Sequence, residues 1–422
     1  MSTILNKDVK EIVACRLCRG EFSTQILNLG SSSLANELYD DYESALNADR
    51  FPLIVVMCDK CKHIQLKHIV SPERLFSNYV YQSGFSSSFQ DHFKGLAEYL
   101  GSMVSGEDYV LEIGSNDGLL LGKLNQIGVK SVGVEPSAQL VMQSKKIGLE
   151  VLHGFWNPEL KNDIIKTYGR PKVITANNVF AHIEDMRAAT SLIADALDPN
   201  GFFVFEVSYF LDVFRKNLFD TIYHEHMSYH TVIPLISFFN EFGLTVIEVS
   251  GIEIHGGSIR VTVARNELTK ISDSIFKAIE IEKSLLLDQS VILKELEMKI
   301  NLKREEVKSM VLSIKEGNFV FGFAAPAKLV TFLSVMHLER MKLEGIIDDN
   351  PLKQGKYLPS SGNKIVSLDD LKAKLKLSSC VNISCVVFAW NIGAELIKKL
   401  RSNFPTNGQA IQFMPETTSV EF

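Results

Sequence analysis

The sequence predicts a multidomain α/β protein: a small amino-terminal segment organised by cysteines, a central doubly wound domain, and a second doubly wound unit at the carboxyl end. Three observations predict it. Two Cys-x-x-Cys pairs, Cys15/Cys18 and Cys58/Cys61, lie near the amino terminus. From Tyr109 onward, short apolar runs rich in β-branched residues alternate with helical patterns, as they do in parallel sheets. After a long charged helical stretch the same alternation starts again at Asn318. The boundaries read from these changes are 1–75, 76–270, a helical connector over 271–317, and 318–422.

Composition sets limits. A chain of 422 residues is too long for one core. Hydrophobic content of 46% and charged content of 22% are those of an ordinary globular protein. A net charge of −6 without a long Lys/Arg block argues against a nucleic-acid or anionic-membrane partner. No apolar run reaches the length of a membrane span, and the first residues lack the apolar core of a signal peptide. A cytoplasmic location follows as the expectation, and there cysteines are reduced or metal-bound.

The first element is the paired knuckles. Each Cys-x-x-Cys lets two thiolates converge on one tetrahedral ion, so Cys15, Cys18, Cys58 and Cys61 are expected to hold a structural Zn2+. His63 and His68 lie nearby, but four thiolates complete such a site and leave no open position for chemistry. Cys380 and Cys385 lack ligand spacing and read as buried small apolar residues. Next, Tyr79 and Tyr81 precede a Ser/Gly cluster and an amphipathic stretch from Phe89 to Leu100. They belong either to a loop at a pocket mouth or to a linker filling a domain interface.

The central domain opens with a strand from Tyr109 to Ile113 that carries Glu112. The turn Gly114-Ser115-Asn116-Asp117-Gly118 follows, and Leu119 begins a helix. Glycines at a strand-to-helix turn let a ligand approach the backbone, and the helix start offers N–H donors. The second strand ends at Glu135, followed by Pro136 and Ser137, where an acid can accept from a ribose. The turn does not fit the dinucleotide pattern G-x-G-x-x-G. An acid in the strand and small polar residues in the turn suit a cationic cofactor without a pyrophosphate, which points to S-adenosyl-L-methionine.

Further strands are expected over Val173–Ala176 and Phe202–Val207. The first ends in Asn177 and Asn178, with His182 beyond, and polar residues at strand carboxyl ends face the ligand crevice of such folds. The densest polar cluster is Tyr223-His224-Glu225-His226-Met-Ser-Tyr229-His230. His224 and His226 are two apart and cannot share a helical face as in H-E-x-x-H. A mononuclear metal site stays open on residue type; we favour proton transfer, because imidazole titrates near neutrality and a carboxylate tunes it. His255 and Arg260 flank a Gly-Gly turn and either face the same pocket or close a hairpin.

In the carboxyl unit, strands are expected over Asn318–Phe323, Leu343–Ile347 and Val386–Trp390, with a helix from Leu329 to Met336. Lys328 opens that helix, where it can contact a diphosphate, and Asp348 stands at a strand tip.

These motifs together resemble the sugar C-methyltransferases, which build branched deoxysugars for antibiotics and surface glycans. The resemblance is carried by the cysteine knuckles, Tyr-x-Tyr-x-Ser-Gly, Glu-Ile-Gly-Ser-Asn-Asp-Gly, Asn-Val-Phe-Ala-His-Ile, Tyr-His-Glu-His-x-x-Tyr and His-Gly-Gly-Ser-Ile-Arg. Gly-Phe-Ala-Ala-Pro-Ala-Lys and Ile-Asp-Asp-Asn-Pro-x-Lys-Gln-Gly-x-Tyr-x-Pro extend it to the carboxyl unit. It implies a zinc-bearing amino-terminal domain, a Rossmann-like S-adenosylmethionine domain and a Rossmann-like carboxyl-terminal domain, in a monomer or weak homo-oligomer. The substrate implied is a nucleotide sugar, typically a dTDP-4-keto-6-deoxysugar lying between the last two domains, with the zinc domain helping to close the site. The reaction implied is deprotonation at C3 and attack of the enolate carbon on the donor methyl.

By the same resemblance the active-site set falls on Tyr223, Glu225 and His226, with Asn178 and His182 nearby and Tyr79 and Tyr81 lining the region. Lys328, Asp348, Lys353, Tyr357, His255 and Arg260 are the expected substrate contacts. The roles read here make His226 the base, Glu225 its orienting acid, and Tyr223 and His182 the donors to the enolate oxygen. Asn178 holds the sugar or the donor, and a tyrosine is the next candidate for the base. One departure stands out: the family often has glycine where this chain has Ala324, so the nucleotide is left open. The competing readings are an O- or N-methyltransferase, an RNA-methylating enzyme with a zinc ribbon, which the acidic balance opposes, and a non-catalytic sugar-nucleotide-binding homologue.

Overall fold

The computed structural model describes residues 8–76, 87–265, 270–286, 289–314, 317–378, 382–404 and 408–422. Tyr79 and Tyr81 lie outside these residues, as does Cys380, and nothing is said of the His255 side chain. The described residues group into two compact units that are discontinuous in sequence. One comprises the described residues within 8–26, 55–213 and 225–292; the other comprises those within 27–54, 214–224 and 293–422.

The first unit is built on a seven-stranded sheet. In spatial order its strands are Thr245–Ile252, Ser258–Ala264, Phe202–Ser208, Val173–Asn177, Tyr109–Ile113, Lys130–Glu135 and Val151–His153. Six strands point the same way, and Ser258–Ala264 alone runs antiparallel, inserted between Phe202–Ser208 and Thr245–Ile252. Strand order reverses between Tyr109–Ile113 and Val173–Asn177, so a crevice opens beyond their carboxyl ends. The Gly114 turn and the Asn177-Asn178 corner leave the sheet at that point. The strands are buried on both faces, as parallel strands between helices must be.

Helix Ser87–Gly101 covers one face. Its Phe89, Phe93, Leu96, Ala97 and Leu100 recur at helical spacing and pack on Val110, Leu120, Leu124, Val173 and Val204. On the other face lie Phe180, Phe203, Phe205 and Phe239, with Phe180 and Phe205 centroids 4.8 Å apart. Cys15, Leu17 and Cys58 belong to this same cluster, so the knuckles are packed into the core of the sheet domain. Glu282, from helix Asp273–Leu286, accepts from the backbone N–H groups of Val232 and Ile233 (2.7 and 2.9 Å) and caps helix Val232–Asn240.

The second unit contains a six-stranded sheet in the order Ile365–Val366, Ile346–Ile347, Phe319–Phe323, Ile383–Val387, Gly408–Gln412 and Thr418–Glu421. All pairings are parallel except the last. This confirms an α/β carboxyl unit with two adjustments. The strand expected over Leu343–Ile347 is confined to Ile346–Ile347, because Leu343 donates to Asn363 instead of a ladder partner. The strand expected over Val386–Trp390 runs over Ile383–Val387, and Trp390 instead opens a 3-10 turn. The apolar run there continues past the ladder because Phe388 and Trp390 line a cavity. Among the described residues no helix is long and apolar enough to cross a membrane.

Candidate active site

The strand Tyr109–Ile113 delivers Gly114 into the crevice at φ 72°, and Gly118 caps helix Leu119–Gln126 at φ 78°. Both positions need glycine for space as well as for dihedral angle. A Cβ on Gly114 would stand 2.5 Å from Val179 Cγ2, and one on Gly118 2.4 Å from Leu149 Cδ1. The Gly114 and Ser115 N–H groups donate to the Val134 carbonyl at 2.7 and 3.0 Å, which ties the turn to the second strand.

That second strand ends in Glu135, whose two carboxylate oxygens accept from the N–H groups of Asn116 (2.9 Å) and Ser137 (2.8 Å). Each oxygen keeps a lone pair, so a ribose can still be held there. Glu112 is fully enclosed. One of its oxygens lies 3.3 Å from Asn177 Nδ2, and Oε2 has no hydrogen-bond partner among the described residues. Burial pushes the Glu112 carboxyl well above the ordinary range, with the charges of Asp117 and Glu135 adding to it. Burial also raises Glu135 against the two N–H bonds that favour its anion. Three carboxyls around one glycine turn, with an enclosed oxygen unanswered, fit a cationic ligand that carries a ribose. S-adenosylmethionine has both features.

The corner after Val173–Asn177 carries the next group. Asn178 takes φ 55°, its N–H donates to the Glu206 carbonyl (2.8 Å), and Val179 turns onto Gly114. His182 follows, its N–H donating to the Val179 carbonyl at 2.8 Å. Against it stands His226, with ring centroids 4.9 Å apart and planes inclined at 43°. The Met227 N–H donates to the Ala181 carbonyl (3.1 Å), so the two histidine-bearing loops are joined by backbone. Glu225, beside His226, is buried. Thus the structure brings His182, His226 and the Gly114 turn into one neighbourhood, with Val179 between them.

His224 and His230 are committed to other partners, and Arg260 is paired beside the Asn177-Asn178 corner. His224 is buried with Nε2 3.2 Å from the Phe51 carbonyl. His230 is buried against Phe180 and His63, and desolvation lowers it to about 3, so it is a neutral core residue. Arg260 stands opposite Glu206 in the sheet register and pairs with it at 2.7 Å, stacked on Tyr99. Glu206 also meets His92 Nε2 at 2.6 Å, a link that nothing in the spacing of the sequence indicated.

In the second unit, Lys328 is buried, with Nζ 2.6 Å from Asn391 Oδ1 and 3.7 Å from the centre of the Trp390 ring. Burial lowers its ammonium to about 8, against the pull of the Asp220 carboxylate. Asp220 accepts from Trp390 Nε1 at 2.7 Å. Asp348 accepts from the Ala325 N–H (2.8 Å) while Lys353 donates to the Ala325 carbonyl (2.9 Å), so the pair pins the loop before Lys328. Ala324 takes φ 65°, the conformation a glycine would adopt, and the turn survives the loss of that residue. Tyr357 bridges to Tyr39 and meets Tyr42 edge-on at 6.2 Å.

The four cysteines are brought together. Their Sγ atoms all lie within 4.8 Å of one another, with Cys15–Cys61 at 3.6 Å and Cys18–Cys58 at 3.5 Å. Zinc–thiolate bonds of about 2.3 Å set tetrahedral sulfur atoms about 3.8 Å apart, so the pocket fits the ion. The hydrogen bond from Cys61 pulls the Cys15 thiol down to about 6, so a first thiolate forms readily. Backbone N–H groups of Gly20 and Cys61 point at Cys18 and Cys58 sulfur at 3.4 and 3.5 Å, as outer-shell donors do.

The fold, the acid-lined glycine turn and the thiolate pocket define a Rossmann-like S-adenosylmethionine-dependent methyltransferase that binds structural zinc. Comparison with known proteins narrows this. Residues 15–76 match the model of a zinc binding domain, 90–249 a methyltransferase domain, and 253–415 the C-methyltransferase C-terminal domain. The chain is 29% identical over 412 residues to the C-methyltransferase NovU of Streptomyces niveus, a match covering 97% of each chain. Over nearly its whole length the chain is thus similar to C-methyltransferases. Among solved structures, a Haloferax volcanii methyltransferase complex with the Trm112 activator is similar at 19% identity and a TM-score of 0.34, covering 42% of this chain and 91% of that one. The magnesium protoporphyrin IX methyltransferase of Synechocystis with bound SAM is similar at 12% identity and a TM-score of 0.32, covering 42% and 79%.

Proposed function

We propose that the protein methylates C3 of a nucleotide-linked 4-keto-6-deoxysugar through an enolate. The observation that carries this reading is the pairing of His182 and His226, the former on a loop whose Val179 packs against the glycine turn. Carbon methylation beside a ketone needs a base for the C–H proton and a donor for the developing oxyanion. Two imidazoles from separate loops supply one of each.

In this reading a ring nitrogen of His226 takes the C3 proton, and Glu225 holds that ring in orientation. The C–H electron pair becomes the C3–C4 double bond, and the C4 oxygen gains the charge, stabilised by His182 and Tyr223. The bound donor supplies an electrophilic methyl group, and C3 forms the new bond to it. Asn178 positions the sugar or the donor. Lys328, Asp348, Lys353, Tyr357, His255 and Arg260 are the substrate contacts in this reading, carried over from the sequence resemblance. Cytoplasmic action on a soluble nucleotide sugar accords with this chemistry.

The test is a mass-spectrometric assay with S-adenosylmethionine and a panel of dTDP-, GDP- and CDP-linked 4-keto sugars, run in deuterated water. Methyl gain accompanied by exchange of the proton beside the ketone supports the reading. Methyl gain on oxygen or nitrogen without C–H exchange refutes it in favour of an O- or N-methyltransferase.

A further inference from the structure

The zinc knuckles contain an arginine whose position no feature of the sequence explains. Arg16 lies between ligands Cys15 and Cys18, yet its side chain is buried (8% exposed) and leaves the knuckle altogether. One terminal nitrogen donates to Ser228 Oγ at 2.6 Å. The other donates to the carbonyls of Glu184 (2.7 Å) and Ile183 and lies 3.7 Å from Met227 Sδ. These four residues flank the two imidazoles of the candidate site: Ile183 and Glu184 follow His182, and Met227 and Ser228 follow His226.

The knuckle is held in return. Arg187 donates to the Leu17 carbonyl at 2.6 Å, and the Arg16 N–H donates to Gln65 Oε1 at 2.9 Å. Gln65 lies in the short strand Ile64–Leu66, which leaves the second knuckle and pairs with Ser228–Tyr229 in antiparallel register. Leu66 adds a backbone bond to Met227 at 3.1 Å, and His63 Nε2 lies 3.2 Å from Ser228 Oγ. Each knuckle is therefore coupled to the histidine loops, the first through Arg16 and the second through this strand. A guanidinium suits the task because its planar fork fixes several acceptors at set angles, which a lysine ammonium does not.

We propose that Arg16 is a positioning residue for the His182–His226 pair, fixing the spacing of the two loops from a backbone that the zinc ion holds rigid. This rests on the assignment of those histidines to proton transfer and oxyanion stabilisation. It gives the zinc domain a part in catalysis without giving the metal any chemistry. Buried backbone carbonyls that lose their donor must find another or shift, and displacement of reacting groups by about 1 Å costs about a hundredfold in rate.

The test compares Arg16→Met, Arg16→Lys and Ser228→Ala in the full chain, with zinc content, S-adenosylmethionine affinity and imidazole NMR signals measured alongside turnover. The signals of His182 and His226 are assigned with His182→Gln and His226→Asn. In Arg16→Met we expect zinc content and donor affinity to stay at wild-type levels while both signals move and His153 does not. With whichever nucleotide sugar the wild type methylates, kcat should fall about a hundredfold with little change in KM. Arg16→Lys should recover part of that loss, and Ser228→Ala should show a smaller shift of the same two signals.

Unchanged imidazole signals with wild-type kcat overturn the proposal. So does loss of zinc or donor binding in step with kcat, which would make Arg16 a fold staple only. If Arg16→Met does not fold, the Arg16→Lys and Ser228→Ala spectra decide the matter. A His226→Asn variant with wild-type turnover would remove the base assignment itself, while the NMR comparison still reports what Arg16 holds.

Discussion

The rings of His182 and His226 lie with centroids 4.9 Å apart, although each belongs to a different loop of the sheet domain. The first loop is seated on the glycine turn through Val179; the second is joined to it by the Met227–Ala181 hydrogen bond. The pair is therefore tied to the glycine turn proposed to hold the donor. His226→Asn should lower methyl transfer and C3 exchange by about a hundredfold to ten-thousandfold. Isothermal titration should find donor affinity unchanged. Persistent exchange at the wild-type rate would pass the role of base to a tyrosine.

Gly114 tests the seating of that loop. Gly114→Ala places a methyl 2.5 Å from Val179 Cγ2 and forces alanine to φ 72°. Donor affinity should fall, and the loop bearing His182 should shift. Adding Val179→Ala should recover the steric part of the loss and leave the dihedral strain of about 1–2 kcal/mol. Equal affinities for the single and double variants would show that contact with Val179 is irrelevant.

Glu112 links donor binding to pH. Burial raises its pKa above the unfolded value. The folded protein thus holds a proton that the unfolded chain has already released, and this contribution to stability is lost as pH rises through the folded pKa. Without donor, thermal stability of the wild type should decline with rising pH above the ordinary carboxylate range, and Glu112→Gln should flatten the decline. A cationic donor favours the ionised carboxylate, so its affinity should rise with pH and binding should release a proton. Glu112→Gln should weaken binding by about tenfold, or about 1.4 kcal/mol. Calorimetry in buffers of different ionisation enthalpy reads the proton release.

Lys328 and Asp220 are both buried around the Trp390 ring. Removing one charge strands the other, so Lys328→Met should cost about 3 kcal/mol in urea unfolding. The double change with Asp220→Asn should recover most of it. Burial holds the Lys328 ammonium near 8, below the value of an unfolded lysine, so its cost to stability is greatest at neutral pH and shrinks as pH rises from about 8 to the unfolded value near 10.5. An unchanged stability in Lys328→Met would show that Asp220 is not stranded by the loss, leaving the lysine to the substrate alone.

Ala324 offers a gain. Its φ of 65° carries strain that glycine does not feel, so Ala324→Gly should be stabilising or neutral, by up to about 1 kcal/mol. A loss of stability would mean that the alanine methyl makes contacts worth more than the strain.

Patterns that act along the chain are legible in the sequence itself. Cys15-x-x-Cys18 and Cys58-x-x-Cys61 announce their metal because ligand spacing is a local property, and the sulfur atoms do converge. The strand Tyr109–Ile113, the Gly114 turn and Glu135 were readable because period, turn chemistry and strand-tip position are short-range too. The limits of the carboxyl strands were less so, since an apolar run does not say whether Phe388 and Trp390 extend a ladder or line a cavity.

What the tertiary structure alone decided is which polar residues meet. The sequence placed His224, His226 and His230 in one cluster, but the fold separates them: His230 is sealed beside Phe180, while His226 faces His182. It likewise committed Arg260 to Glu206 and carried Arg16 from a metal knuckle to the histidine loops. The amino-acid order therefore determined the α/β class, the converging cysteines and the strand–turn–helix at Gly114, while the compact units are discontinuous in sequence and were set by packing. The partners of each histidine and arginine were set by long-range packing, because buried charge and hydrogen-bonding groups are satisfied in space and spacing along the chain carries no record of those pairings.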